Sequence, residues 1–120
     1  MPTRAIRGAT VATENSPEAI LSAARELLLE IAHANELMPD DLISALFTFT
    51  QDLDAAYPTR AARELGWTHV ALLDAQQPRV HGDLERCIRV MVHCETPRAV
   101  HELKHIYLHA AKRLRPDLNS

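Results

Sequence analysis

Apolar and polar positions alternate along residues 4–13, the period of a β-strand. The rhythm then changes. Ser16-Pro17-Glu18 has the chemistry of a helix start: a hydroxyl to cap free N–H groups, a proline whose fixed φ suits the first turn, and an acid near the positive end of the helix dipole. Ile20, Ala24, Leu27, Leu28 and Ile31 follow at helical spacing, which predicts one amphipathic helix to about Asn35. Met38-Pro39-Asp40-Asp41 breaks the pattern. Leu42 to Thr50 reads as a largely buried strand with Ile43, Ala45, Phe47 and Phe49 on one face. Pro58 opens a short helix that Gly66 closes. Val70 to Leu73 is a short apolar strand, residues 75–82 with Pro78 and Gly82 form a loop, and Arg86 to Cys94 is a further strand. Thr96-Pro97 opens a helix whose end is ambiguous, because Ala, Leu, Lys and Arg are good helix formers and propensity alone carries it through Arg113. Strands and helices alternating in so small a chain predict an α+β fold of two layers, a mixed sheet with helices packed on one face.

The 120 residues amount to a single domain, residues 1–120. A chain of this size buries about two-thirds of its unfolded surface, so association between subunits would add stability. The net charge of −3, with no strongly basic patch, argues against nucleic acid or an anionic membrane as a partner. No stretch approaches the ~18 apolar residues of a membrane span, and Met1-Pro2-Thr3-Arg4 lacks the apolar run of a signal peptide. Cys87 and Cys94 stand seven apart, on opposite faces of one strand, and are expected as reduced, buried thiols in a cytoplasmic protein. The basic residues are lopsided, eleven Arg against two Lys. Arg presents a planar fork of donors and suits a site that grips small carboxylates, although genomic base composition accounts for the bias equally well.

Two arginines change the picture further. On the strand from Arg86 to Cys94, Ile88, Val90, Val92 and Cys94 line one face, and Arg89 lies on the other between Cys87 and Met91. Arg7 shares its strand face with Ala5, Ala9 and Val11. A charge flanked by apolar neighbours must find a partner or bear a large desolvation cost, unless the face is simply wet. Arg60 and Arg63, three apart after Pro58, share a helix face that is either solvated or turned to a ligand. Arg115 precedes a proline that stops regular structure. His101, His105 and His109 would form a stripe on one helix, a spacing that can bind metal, but no Cys or carboxylate set accompanies them, and they read as surface and interface histidines.

The motifs resemble, in order, those of the small AroH-type chorismate mutases. Arg7-Gly8-Ala9 is similar to that family's opening strand. Asp52-Leu53 with Tyr57-Pro58, Ala61 and Arg63 is similar to its central motif, Cys87-Ile88-Arg89-Val90-Met91 to its catalytic strand, and His105-Ile106-Tyr107-Leu108, Ala111 and Leu114-Arg115-Pro116-Asp117-Leu118 to its C-terminal signature. The likeness spans about residues 4 to 118. It implies a trimeric pseudo-barrel assembly with three sites in clefts between subunits. It also implies a short helix and then a strand from about Ile106, and a cofactor-free [3,3] rearrangement of chorismate to prephenate in phenylalanine and tyrosine biosynthesis. With no nucleophile or proton transfer required, catalysis must come from conformational restriction and electrostatics. By resemblance, Arg89 donates to the breaking ether oxygen. Arg7 and Tyr107 bind a carboxylate from the same wall. Arg63 and Arg115 come from the neighbouring subunit's rim. Tyr57, in place of the usual Phe, packs on the ring, and Arg60 steers the dianion. Leu72 and Leu73 form wall, with Thr59 and Leu114 also in the substrate site.

One departure matters. Gln77 stands where many members carry a glutamate that contacts the substrate hydroxyl and the catalytic Arg, and Asp74 stands where Cys or Ser is common. The expectation is that Asp74 takes over the glutamate's work and orients Arg89. A non-catalytic dicarboxylate-binding trimer on the same scaffold, and a metal-binding or interaction module on the histidine stripe, are the competing readings.

Overall fold

Ser16 caps its helix as its position predicts. Its hydroxyl accepts a 3.1 Å hydrogen bond from the Ala19 N–H, and Pro17 occupies the first turn. The computed structural model describes residues 1–118. Its strands are β1 (Thr3–Val11), β2 (Leu42–Phe49), β3 (Ala71–Gln76), β4 (Cys87–Glu95) and β5 (Ile106–Tyr107), and its helices are α1 (Pro17–Ala34) and α2 (Thr59–Glu64). The strands form one mixed sheet in the order β3-β2-β4-β1-β5. The central strand β4 runs antiparallel to both β1 and β2, while β3 is parallel to β2 and β5 parallel to β1.

The two faces differ in chemistry because side chains alternate across a strand. On the inner face Ile6, Ala45, Phe47, Ile88, Val90, Val92 and Cys94 join Ile20, Ala24, Leu27, Leu28 and Ile31 of α1, with Ala61 and Ala62 of α2, in one buried core. Gly8 lets α1 approach. A Cβ there would stand 2.8 Å from Ile31 Cδ1, 3.0 Å from Leu27 Cδ1 and 3.1 Å from the Ile106 carbonyl. Among the described residues no helix covers the outer face, and its Leu46, Met91 and Leu73 are 40%, 39% and 65% exposed. A small cluster of Ala9, Tyr107 and Ala111, flanked by Leu84 and Leu114, closes only its β5 end.

One expectation needs correction. Ile43 does not join Ala45 and Phe47 on the inner face. The β2–β4 register slips between Leu42 and Ser44, and this bulge turns Ile43 outward, 41% exposed. The segment after Thr96-Pro97 follows the path that the family resemblance implies and not the long helix that propensity alone allows: a short 3₁₀ turn at Val100–Glu102, then β5 from Ile106, and a 3₁₀ segment at His109–Leu114. Buried Asn35 fixes that path. Its amide donates to the Ile31 and Lys104 carbonyls, each at 2.9 Å, and accepts from the Lys104 N–H at 2.8 Å. Strand β3 also runs farther than the apolar pattern, to Gln76. Both cysteines are free and buried, Cys94 in the core and Cys87 on the outer face.

Candidate active site

The outer face is best described by its cross-strand rows. One row runs Tyr107, Ala9, Arg89, Thr48, Ala75 across β5, β1, β4, β2 and β3. The next runs Arg7, Met91, Leu46, Leu73. Residues in one row share a face, so Arg7, Arg89 and Tyr107 are brought together by strand register alone. Ala9, with its short side chain, lies between Tyr107 and Arg89 and leaves space above the sheet. The C-terminal segment adds Leu114 and Arg115, and together these groups line a cleft of about 350 Å³. Its lining holds three arginines and a tyrosine and no carboxylate, a surface suited to a small dianion.

The arginines are held differently. Arg115 is gripped by Asp117 through two hydrogen bonds, 3.1 Å from Nε and 2.9 Å from Nη2. That bonding holds the Asp117 carboxyl below the usual carboxylate range and raises Arg115. Arg89 has no such clamp. Its Nη2 lies 3.8 Å from Asp83 Oδ1, beyond hydrogen-bond length, and its buried Nε has no hydrogen-bond partner among the described residues. Behind Arg89, burial pushes the Cys87 thiol up, and the neighbouring guanidinium only partly offsets this. The Arg7 backbone N–H donates to His105 Nδ1 at 3.0 Å, and burial, with Arg7 and Arg115 nearby, lowers the His105 pKa. Through this bond β1 is tied to His105, the residue that precedes β5.

The remaining expected residues lie elsewhere on the chain. Tyr57, Arg60 and Arg63 line a separate pocket of about 480 Å³ between α2, β2 and the end of β3. Leu73 is on the outer face, whereas Leu72 and Asp74 point to the helix side, in register with Ala45 and Phe47. Arg115 lines the cleft of its own chain, beside Arg7 and Tyr107. Asp74 does not orient Arg89 within the chain, because the sheet separates them. Its carboxylate accepts from the Thr59 hydroxyl at 2.6 Å and the Thr59 N–H at 3.3 Å, at the start of α2. Gln77 does approach Arg89's surroundings: its amide lies 3.4 Å from Asp83 Oδ2. The histidines diverge. His105 faces Arg7 and His109 pairs with Glu26 at 2.9 Å, and among the described residues no group of three His, Cys, Asp or Glu is placed to hold a metal ion.

Sequence reasoning missed Leu46, Thr48, Met91 and Asp83. The period of two along β2 and β4 marks the first three as partners of Arg89's face; Asp83, in a loop, has no periodic signal.

The model for chorismate mutase type I matches residues 3–118. The chain belongs to the type I chorismate mutase family. Chorismate mutase AroH from Thermus thermophilus is 45% identical over 118 residues, covering 98% of this chain and 97% of that protein. Chorismate mutase AroH from Bacillus subtilis (strain 168) is 39% identical over 120 residues, covering 99% and 94%. Among solved structures, a chorismate mutase from Clostridium thermocellum superposes with a TM-score of 0.90 at 47% identity, covering 92% of this chain and 98% of that one. The mixed sheet described above is thus a chorismate mutase fold, and the Arg7–Arg89–Tyr107 cleft is its candidate active site.

Proposed function

We propose that this chain converts chorismate to prephenate, with Arg89 as the catalytic donor and the outer-face cleft as one wall of the site. The observation that carries the reading is the pairing of Arg7 and Arg89 on adjacent strands of one uncovered face, beside Tyr107, in a cleft without a carboxylate. In the concerted rearrangement a C–O bond breaks as a C–C bond forms, and negative charge grows on the ether oxygen. A guanidinium held at that oxygen stabilises the transition state more than the ground state. Arg7 and Tyr107 bind a carboxylate and hold the chair-like geometry, which lowers the entropic part of the barrier. Arg115 closes the same wall from the C-terminal segment. No protein group has to exchange a proton or form a bond, so the reading needs no cofactor.

The second wall comes from a neighbouring copy in a homotrimer. Tyr57, Thr59, Arg60, Arg63, Leu72 and Leu73 supply it, with Arg63 reaching the other carboxylate. Two features favour this arrangement: the arginines of α2 line a different pocket of their own chain, and Leu46, Met91 and Leu73 on the outer face are left exposed. The protein acts as a single domain in the cytoplasm, in the branch leading to phenylalanine and tyrosine. No helix among the described residues is long and apolar enough to cross a membrane.

The test is consumption of chorismate, followed by loss of its diene absorbance in the presence of chelator. Wild type should turn over, and Arg89→Ala should lower kcat by ~10²–10³-fold, the usual cost of removing one preorganised donor. Binding of chorismate without conversion would favour the non-catalytic alternative. Unchanged turnover in Arg89→Ala would remove the assigned mechanism.

A further inference from the structure

The loop between β3 and β4 places a carboxylate behind the catalytic arginine. We propose that Asp83 is a positioning residue that orients Arg89 by charge, and that Gln77 holds Asp83 in place. The proposal rests on the chorismate mutase reading of the cleft.

Asp83 is fixed by its own loop before any substrate arrives. Gly82, at φ +82°, turns the chain, and the Asp83 N–H donates to the Val80 carbonyl at 3.1 Å. Its Oδ1 accepts from the Leu84 N–H at 2.9 Å, and its Oδ2 faces the Gln77 amide at 3.4 Å. Gln77 is itself tied to the sheet, its N–H donating to the Phe49 carbonyl at 2.9 Å. Leu84 packs beside Ala9 and Tyr107, which anchors the loop to the floor of the cleft.

The 3.8 Å separation between Asp83 Oδ1 and Arg89 Nη2 matters. A two-point clamp such as Asp117 makes on Arg115 would occupy the donors that an ether oxygen needs. At 3.8 Å the carboxylate attracts the guanidinium and limits its rotation but does not occupy those N–H groups. Asp83 also lines the adjoining loop cavity and is absent from the lining of the substrate cleft. It therefore acts from behind Arg89, where it does not meet an incoming dianion directly.

Asp83→Asn keeps the shape and an oxygen for Leu84 but removes the charge. It should lower kcat ~10–100-fold with little change in KM, since a misplacement of about 1 Å in a catalytic group can cost ~10²-fold. Asp83→Glu should recover most of that loss. The decisive measurement is a double-mutant cycle with Arg89→Lys, read by calorimetric binding of a bicyclic dicarboxylate transition-state analogue so that slow variants remain measurable. Asp83→Asn should weaken the analogue about tenfold in wild type and far less in the Arg89→Lys background. Equal losses in both backgrounds, or an Asp83→Asn variant as fast as wild type, would overturn the proposal. An inactive wild type that still binds the analogue would instead overturn the enzymatic reading.

Discussion

A carboxylate's role is set by the face of the sheet it occupies, and Asp74 and Asp83 separate on that ground. Asp74 alternates with Leu73 along β3, so when Leu73 faces outward Asp74 must face the helices. There it meets the first residue of α2, whose N–H and hydroxyl both donate to it. Asp74→Ala should cost ~1–2 kcal/mol of stability in denaturant unfolding, because Thr59 is buried and loses two hydrogen bonds. Asp74→Asn keeps an acceptor, so it should cost less and leave kcat within about threefold of wild type. A large drop in kcat for Asp74→Asn at unchanged stability would restore the catalytic role that its sequence position first suggested. Arg7 and Arg89 were legible in the sequence because alternation along a strand assigns a face to each residue. Asp83 was not, since its relation to Arg89 comes from a turn and not from a period.

Elements follow the sequence where one signal dominates and depart from it where several compete. Helix α1 has a cap, a first-turn proline and a regular apolar stripe, and it forms where these agree. Strand β5 has two residues, too few for periodicity, set in a segment of good helix formers. Its strand state is decided by partners distant in the chain: pairing of Gly8 with Ile106, and the Asn35 bonds to Lys104. The bulge in β2 was equally hidden, because a one-residue slip leaves composition unchanged while re-aiming Ile43. Gly8 lies where α1, β1 and β5 converge. A methyl added there can displace the flexible ends of Leu27 and Ile31, but the Ile106 carbonyl is held by strand pairing. Gly8→Ala should therefore destabilise by ~1–3 kcal/mol, the usual range for overpacking, measured by denaturant unfolding. No loss of stability would mean that β5 yields readily and does not fix Tyr107.

For the whole molecule, the sheet carries an apolar face that the chain's own helices cover and an outer face on which Leu46, Met91 and Leu73 stand beside Arg7 and Arg89. The uncovered face holds Leu46, Met91 and Leu73 in the row next to Arg89, so the surface that lacks a cover also carries the candidate cleft. The arginines of α2 line a separate pocket of the same chain, and the family resemblance, not any periodicity in the sequence, indicates how the two surfaces would meet. A homotrimer accounts for both facts at once, because each subunit's outer face would then be completed by its neighbour. Leu73→Glu tests this coupling. The side chain is 65% exposed in the single chain, so a carboxylate there has little effect on folding of the subunit, whereas at a subunit boundary it would bury a charge without a partner. Light scattering should then give a mass near three chains for wild type and a smaller species for Leu73→Glu. Turnover per chain should fall with the mass and recover as protein concentration rises. Met38→Glu, at an apolar residue 67% exposed in the turn after α1, should change neither mass nor turnover. A Leu73→Glu protein that runs as a single chain with full activity would show that one subunit holds a complete site, and α2 would lose its assigned part in binding substrate.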